Sequence, residues 1–174
     1  QHKVAAKLQI AVETFCIIVD LCKMGHDLPN DLILILESEN WLKYGVGITI
    51  DMDILAFQYN LKKCSGVFDM GIICKFLGCP TPNLEHLYNS FNCSPDKFKK
   101  TNDKYTDWSK DMTTSQIKYA SNDAYASYNI GKEMMKFTKT SFDIVCEKYK
   151  TSIPESNSSK NYTSIELPTS TNNY

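Results

Sequence analysis

An α/β fold with a mixed β-sheet flanked by helices is the class that this 174-residue sequence predicts. Three observations carry the prediction. Two successive apolar stretches near the start read as a hairpin. Two later strand-like runs are each followed by a helical pattern, and a single long helical pattern occupies much of the second half. A hydrophobic fraction of 43% and a charged fraction of 22% are those of a chain with a packed core, and the length suits one sizeable domain.

Residues 3–12 alternate imperfectly, with Val4, Ala6, Leu8 and Ile10 on one side. Residues 14–21 form an apolar run rich in β-branched side chains, and Glu13 falls near the turn between them. Gly25 and Pro29 then punctuate the chain. Asn30 or Asp31 is placed to cap a helix carrying Leu32, Ile33, Leu34, Ile35 and Leu36 as far as about Trp41. That helix is so apolar that it is expected to be covered over much of its surface.

Residues 43–50 read as a short strand and a tight connection, after which Asp51 opens a helix over 52–59. Asp51 and Asp53 near a helix start fit an N-cap and an acidic first turn as readily as a ligand-binding role. Gly45 and Gly47 beside a strand end permit close approach of a ligand to the backbone, or unusual dihedrals. Residues 66–69 are a further short strand leading into a helix over 70–77, which Cys79-Pro80-Thr81-Pro82 breaks. Asn83 or a neighbour caps the next helix, which presents Leu84, Leu87, Tyr88 and Phe91 on one face.

Residues 92–110 mix lysines with aspartates. Such a run suits a solvated surface, and its lysines, interleaved with Phe98, Tyr105 and Trp108, equally suit holding a phosphate backbone and stacking a base. The long helix begins at Thr113 or Thr114 and runs through Met134 and Met135 toward Lys148, with Gly131 as a candidate kink. It carries Tyr119 and Asp123 at i and i+4, so a phenol and a carboxylate share one face. A carboxylate can hold a divalent cation, and a neighbouring phenol can orient water on it. The same spacing also fits an amphipathic helix that buries aromatics. Small residues at Ala120, Ala124 and Ala126 allow close packing or leave room for a ligand. Residues 1–150 are read as the domain and 151–174, rich in Ser, Thr and Asn, as a disordered polar tail.

A net charge of -1 and a pI near 6.3 exclude a protein that coats nucleic acid by charge alone. A nucleic-acid enzyme remains compatible, since metal-binding carboxylates lower the count and bound cations restore positive potential locally. Seven cysteines without a CxxC pair read as reduced thiols in an intracellular compartment, with the nucleus one candidate. The apolar runs are too short for a membrane span. The first residue is Gln, so the chain is expected to be a segment of a longer protein.

Gly45-Val-Gly-Ile-Thr-Ile-Asp51-Met-Asp-Ile-Leu55 resembles the second acidic motif of the 3'-5' exonucleases of the ribonuclease H-like superfamily. Trp108-Ser, Thr113, Gln116 and Tyr119-Ala-Ser-Asn-Asp123-Ala-Tyr-Ala resemble the Tyr-x-x-x-Asp third motif of its DEDDy branch, in a form similar to the Werner-syndrome-type exonuclease domain. Residues 3–21, including Gln9, are similar to the family's second and third strands. The resemblance implies a ribonuclease H-like mixed sheet flanked by helices. It also implies removal of nucleotides from single-stranded or 3'-recessed nucleic acid by two ions of Mg²⁺ or Mn²⁺ held by four carboxylates. By motif, Asp51 and Asp123 are metal-site carboxylates, Tyr119 positions the nucleophilic water, and Trp108, Lys104 and Lys100 meet the substrate strand.

The family's first motif, Asp-x-Glu, lies on a strand ahead of the segment that matches residues 3–10. Glu13 falls on the wrong strand to replace it, and Asp53 belongs with the second motif. The expectation is therefore a sheet lacking its first strand and a chain inactive as it stands, with hydrolysis belonging to the complete protein. A non-catalytic relative acting as a nucleic-acid or protein binding module is the alternative. Asp111-Met112 also departs from the pattern, standing where Pro-Leu is common.

Overall fold

The structure, a computed structural model, describes residues 4–91, 93–95, 98–99 and 106–136. Lys100, Lys104, the helix extension toward Lys148 and the tail over 151–174 lie outside the described residues. The hairpin forms as expected: β1 (Lys7–Ala11) pairs antiparallel with β2 (Cys16–Asp20), with Lys7 opposite Asp20 and Gln9 opposite Ile18. Val12 N–H donates to Phe15 C=O across the turn at 3.0 Å. A short helix, α1 (Leu21–Met24), follows, and Gly25 leaves it at φ 68°, a left-handed value suited to glycine.

Helix α2 (Asn30–Glu37) starts one residue earlier than its expected caps. Pro29 is the N-cap, no side chain caps the helix, and Asn30 is already helical. As expected, α2 is covered over much of its apolar surface, with Leu36 buried and Leu32, Ile33 and Ile35 half-buried, but Leu34 is 66% exposed. The helix ends at Glu37 rather than near Trp41. Lys43 Nζ donates to the carbonyls of Ile35 and Ser38 at 2.8 and 2.9 Å, satisfying groups that a helix C-terminus leaves open. Burial lowers the pKa of that ammonium to about 8.

The short strand and tight connection expected within 43–50 form, but the helix after them starts earlier than expected. β3 (Lys43–Gly45) pairs parallel with β4 (Val67–Asp69), and α3 (Ile48–Gln58) begins before Asp51. The cause lies in another element. Asp69, 5% exposed at the end of β4, places Oδ1 3.0 Å from the N–H of Gly47 and Oδ2 3.4 Å from that of Thr49. Its Oδ1 also accepts from Gly71 and Ile72 at 3.1 and 3.3 Å, so Asp69 is the N-cap of α4 (Met70–Phe76) as well. One carboxylate thus serves the first turns of two helices. Gly47 initiates α3 at φ 78° and ψ 10°, and a Cβ at Gly45 would lie 2.7 Å from Ile48 Cβ.

Helix α5 (Leu84–Ser90) is capped by Asn83, which accepts from His86 N–H at 2.9 Å, as its sequence suggests. Helix α6 (Thr114–Met134) opens with a reciprocal capping box between Thr113 and Gln116. It runs unbroken through Gly131. A Cβ there would lie 2.6 Å from Tyr44 Cγ of β3, so the glycine marks close packing on the strand and not a kink. Among the described residues parallel and antiparallel pairing are both present, divided between two two-stranded sheets, and α6 lies against β1, β2 and β3.

Among the described residues two apolar clusters make the core. Met70, Ile73, Leu87, Ala126 and Ile130 join α4, α5 and α6, while Leu8, Leu21, Leu36, Met52 and Leu55 join the hairpin to α1, α2 and α3. Gln58 ties α3 to the hairpin by accepting from Ala5 N–H at 2.8 Å and donating to its carbonyl at 3.2 Å. Among the described residues no helix is long and apolar enough to cross a membrane, and Cys16, Cys22, Cys64, Cys74, Cys79 and Cys93 are free thiols.

Replacing Gly131 by alanine is expected to destabilise the protein by about 1–3 kcal/mol through overpacking, although alanine is the better helix former by about 1 kcal/mol. A higher urea midpoint for Gly131→Ala would contradict the close approach of Tyr44. Asp69→Ala leaves buried amides without an acceptor and is expected to cost on the order of 3 kcal/mol. Calorimetric melting reads that loss, and an unchanged Tm would show that the shared cap is dispensable.

Candidate active site

Asp51 lies in the first turn of α3 and is exposed, as is Asp53. The N-cap of α3 is Gly47 rather than Asp51, and Asp69 accepts from the Gly47 and Thr49 amides at the start of the helix. Glycines 45 and 47 are candidates for backbone contact with a ligand or for unusual dihedrals, and Gly47 takes the second course, supplying the left-handed residue that turns the chain from β3 into α3, while Gly45 is closely approached by Ile48. The position of Asp51 is thus set by β3, β4 and the buried carboxylate between them. Its negative charge is favourable beside the positive end of the helix dipole.

Tyr119 and Asp123 stand one turn apart on α6, both half-buried. The Thr113–Gln116 capping box fixes the start of the helix: Thr113 N–H donates to Gln116 Oε1 at 2.7 Å, and Gln116 N–H to Thr113 Oγ1 at 3.3 Å. That choice of first residue decides which face Tyr119 and Asp123 occupy. Ala120 and Ala126 are each 1% exposed and are used for packing, while Ala124 is half-buried. Asp123 Oδ1 is shielded from solvent.

Trp108 joins this pair. Its ring lies 5.9 Å from that of Tyr119 at an interplanar angle of 38°, within the range of favourable aromatic contacts. Next to it, Asp107 Oδ1 accepts from Ser109 N–H at 3.1 Å and Ser109 Oγ at 2.6 Å, forming a tight local turn. Those donated bonds, the hydroxyl first, hold the Asp107 carboxyl below the usual range.

Trp108 also walls a cleft of about 240 Å³ lined by Val4, Ala6, Lys7 and Gln9. Lys7 was not singled out from the sequence, although period-2 alternation places it on the same side of β1 as Gln9. Its side chain is 2% exposed, and Nζ lies 2.7 Å from Asp20 Oδ1, directly across the hairpin. The Lys7 ammonium holds the Asp20 carboxyl below its ordinary value.

Trp108, Tyr119 and Asp123 are therefore brought together by the loop and α6. Asp51 stands on a different helix, α3, which packs on β4 and reaches α6 through β3, where Tyr44 meets Gly131. The two carboxylates suit a hard divalent cation in ligand type. Among the described residues no three His, Cys, Asp or Glu side chains come together to hold a metal ion, so these ligands are fewer than a closed site needs.

Comparison with known proteins bears on this arrangement. The sequence profile of the family described as 3'-5' exonuclease matches residues 1–139. Among solved structures, the EXD2 exonuclease domain is 28% identical, with 86% of this chain and 77% of that chain covered and a TM-score of 0.37. The same domain soaked in Mn and dGMP is 26% identical, covering 88% of this chain and 80% of that chain with a TM-score of 0.39. Soaked in Mn and GMP it is 25% identical, with coverages of 87% and 79% and a TM-score of 0.39. No curated protein matches the chain. Small sheets flanked by helices are consistent with the ribonuclease H-like fold of such nucleases. With the family profile matched over residues 1–139, well over half of its 174 residues, this chain belongs to the 3'-5' exonuclease family.

Proposed function

We propose that the chain works in a nuclease of the Werner-syndrome-type branch, which hydrolyses the terminal phosphodiester at nucleic-acid 3' ends. In this reading Asp51, Tyr119 and Asp123 carry the chemistry. The supporting observation is the contact of Trp108 with Tyr119, one turn ahead of Asp123, within the residues that match the family. The Asp123-Ala-Tyr-Ala126 ending and Val46-Gly47-Ile48 favour that branch. The nuclease unit is assigned to residues 1–150 and the polar tail to 151–174. An intracellular setting suits its free thiols.

Tyr119 Oη accepts a hydrogen bond from the attacking water and directs the water's lone pair at phosphorus. The Trp108 ring against Tyr119 restricts where that hydroxyl can point. Asp51 and Asp123 supply hard oxygen ligands at the reacting phosphate. A divalent cation such as Mg²⁺ or Mn²⁺ bound there would neutralise phosphate charge and lower the pKa of water. As the bond breaks, the 3' oxygen of the preceding nucleotide departs and the strand is one nucleotide shorter.

The substrate is a single strand or recessed 3' end, whose last base is free to leave the stack and meet an aromatic face. Trp108 offers that face, and Lys100 and Lys104 are assigned to the strand's phosphates. The cleft beside Trp108 also carries the amide of Gln9, with donors and an acceptor for a base edge.

Protein carrying this chain, given Mn²⁺ and a 5'-labelled single strand or recessed duplex, is expected to shorten both stepwise from the 3' end. Tyr119→Phe should slow each step by about a hundred-fold, and Asp123→Asn by at least as much, with unchanged circular dichroism in both. A folded protein that leaves both substrates at full length would sink the nuclease reading.

A further inference from the structure

Asp111 stands where the sequence departs from the family pattern, and the structure gives it a partner. Lys23 Nζ of α1 donates to Asp111 Oδ1, in the segment just ahead of α6. The same ammonium lies 3.8 Å from Asp20 Oδ2, and the other oxygen of Asp20 meets the buried Lys7 ammonium at 2.7 Å. Lys7, Asp20, Lys23 and Asp111 thus form an alternating chain of charges from inside β1 to the loop that bears Trp108. The hydrogen bond with Asp111 raises the Lys23 pKa.

The chain of charges meets the loop at a decisive place. Asp111 follows Trp108 by three residues and precedes Thr113, the N-cap of α6, by two. On its Trp108 side the loop is shaped locally, by the Asp107–Ser109 turn and by the 3.4 Å approach of Lys110 Nζ to Asp107 Oδ2. Those contacts fold the loop onto itself. The Lys23–Asp111 pair, in contrast, ties it to the hairpin, and Trp108 forms one wall of the cleft whose other residues lie on or before β1.

An isolated exposed ion pair is worth little, because both side chains lose freedom in forming it. Here the near partner is anchored: Lys7 is 2% exposed and fixes Asp20, so Lys23 is drawn toward a stationary carboxylate before it reaches Asp111. Networks of this kind retain orientation even where their effect on global stability is small.

We propose that Lys23 is a positioning residue for substrate: acting through Asp111, it holds Trp108 over β1, which sets the width of the Trp108–Gln9 cleft. The proposal deepens the nuclease reading and rests on it for its substrate. Loss of the tether draws Trp108 back from β1 and widens the cleft while its contact with Tyr119 is kept, so a strand end binds less firmly and the step at Tyr119 and Asp123, once reached, is unchanged.

The test uses protein carrying this chain with 5-fluorotryptophan incorporated, the Trp108 fluorine resonance being assigned by its loss in Trp108→Phe. Lys23→Ala and Asp111→Ala are each expected to move that resonance to the same new position, and the double variant no further, as for two ends of one contact. Both should raise KM for a single strand by about two- to five-fold at unchanged kcat, and Lys23→Arg should behave as the parent. A Trp108 resonance unmoved by either substitution, additive shifts in the double variant, or an unchanged KM would overturn the proposal. A parent that moves Trp108 on loss of Lys23 yet cuts no nucleic acid would refute the nuclease reading and with it the substrate role, leaving only a structural tether.

Discussion

The buried carboxylate of Asp69 is the constraint on which the arrangement of this molecule depends. It sits at the end of β4 and accepts hydrogen bonds from amides at the starts of both α3 and α4. A helix start leaves several N–H groups without intrahelical partners, and burying them unpaired is costly. Using one anion for two helices fixes where each begins relative to the parallel pair β3–β4. Asp51, in the first turn of α3, inherits its place from that decision. The residue proposed for chemistry is exposed and the residue that orients it is buried, a division that suits both.

Helix α6 is the second organising element, because it lies across strands from both small sheets. Its buried stripe runs through Ala120, Ala126 and Ile130, small enough early on to approach the hairpin and large enough later to fill the space against α4 and α5. Gly131 then lets Tyr44 of β3 come against the helix. Tyr119 and Asp123 lie on this same side of the helix, with Ala126 and Ile130 two turns further along, so the position of the candidate site follows from the packing that buries that side. The Thr113–Gln116 capping box sets where this helix starts.

Around that face the hairpin contributes more than a scaffold. Lys7 and Asp20 oppose each other across the two strands, and their pairing places a buried cation beside the cleft that Trp108 walls. This pairing uses one oxygen of Asp20 and leaves the other to approach Lys23. The electrostatics of the hairpin and the placement of the loop before α6 are parts of one network.

What the sequence determined by itself was everything set by short-range pattern: the hairpin, from its alternation; the Asn83 and Thr113 caps, from side chains within a few residues of the amides they serve; and the Tyr119–Asp123 pair, from helical spacing. The family, too, was legible in the two acidic motifs and the order in which they occur. What only the tertiary structure decided were features whose partner is distant in the chain. Asp69 starts α3 three residues ahead of Asp51, Tyr44 turns Gly131 from a candidate kink into a contact, Leu34 stays exposed on an apolar helix, and Lys23 finds Asp111. Local pattern records what a residue prefers over a few neighbours, whereas these outcomes depend on which surfaces meet after the chain has closed on itself, and no spacing in the sequence carries that information.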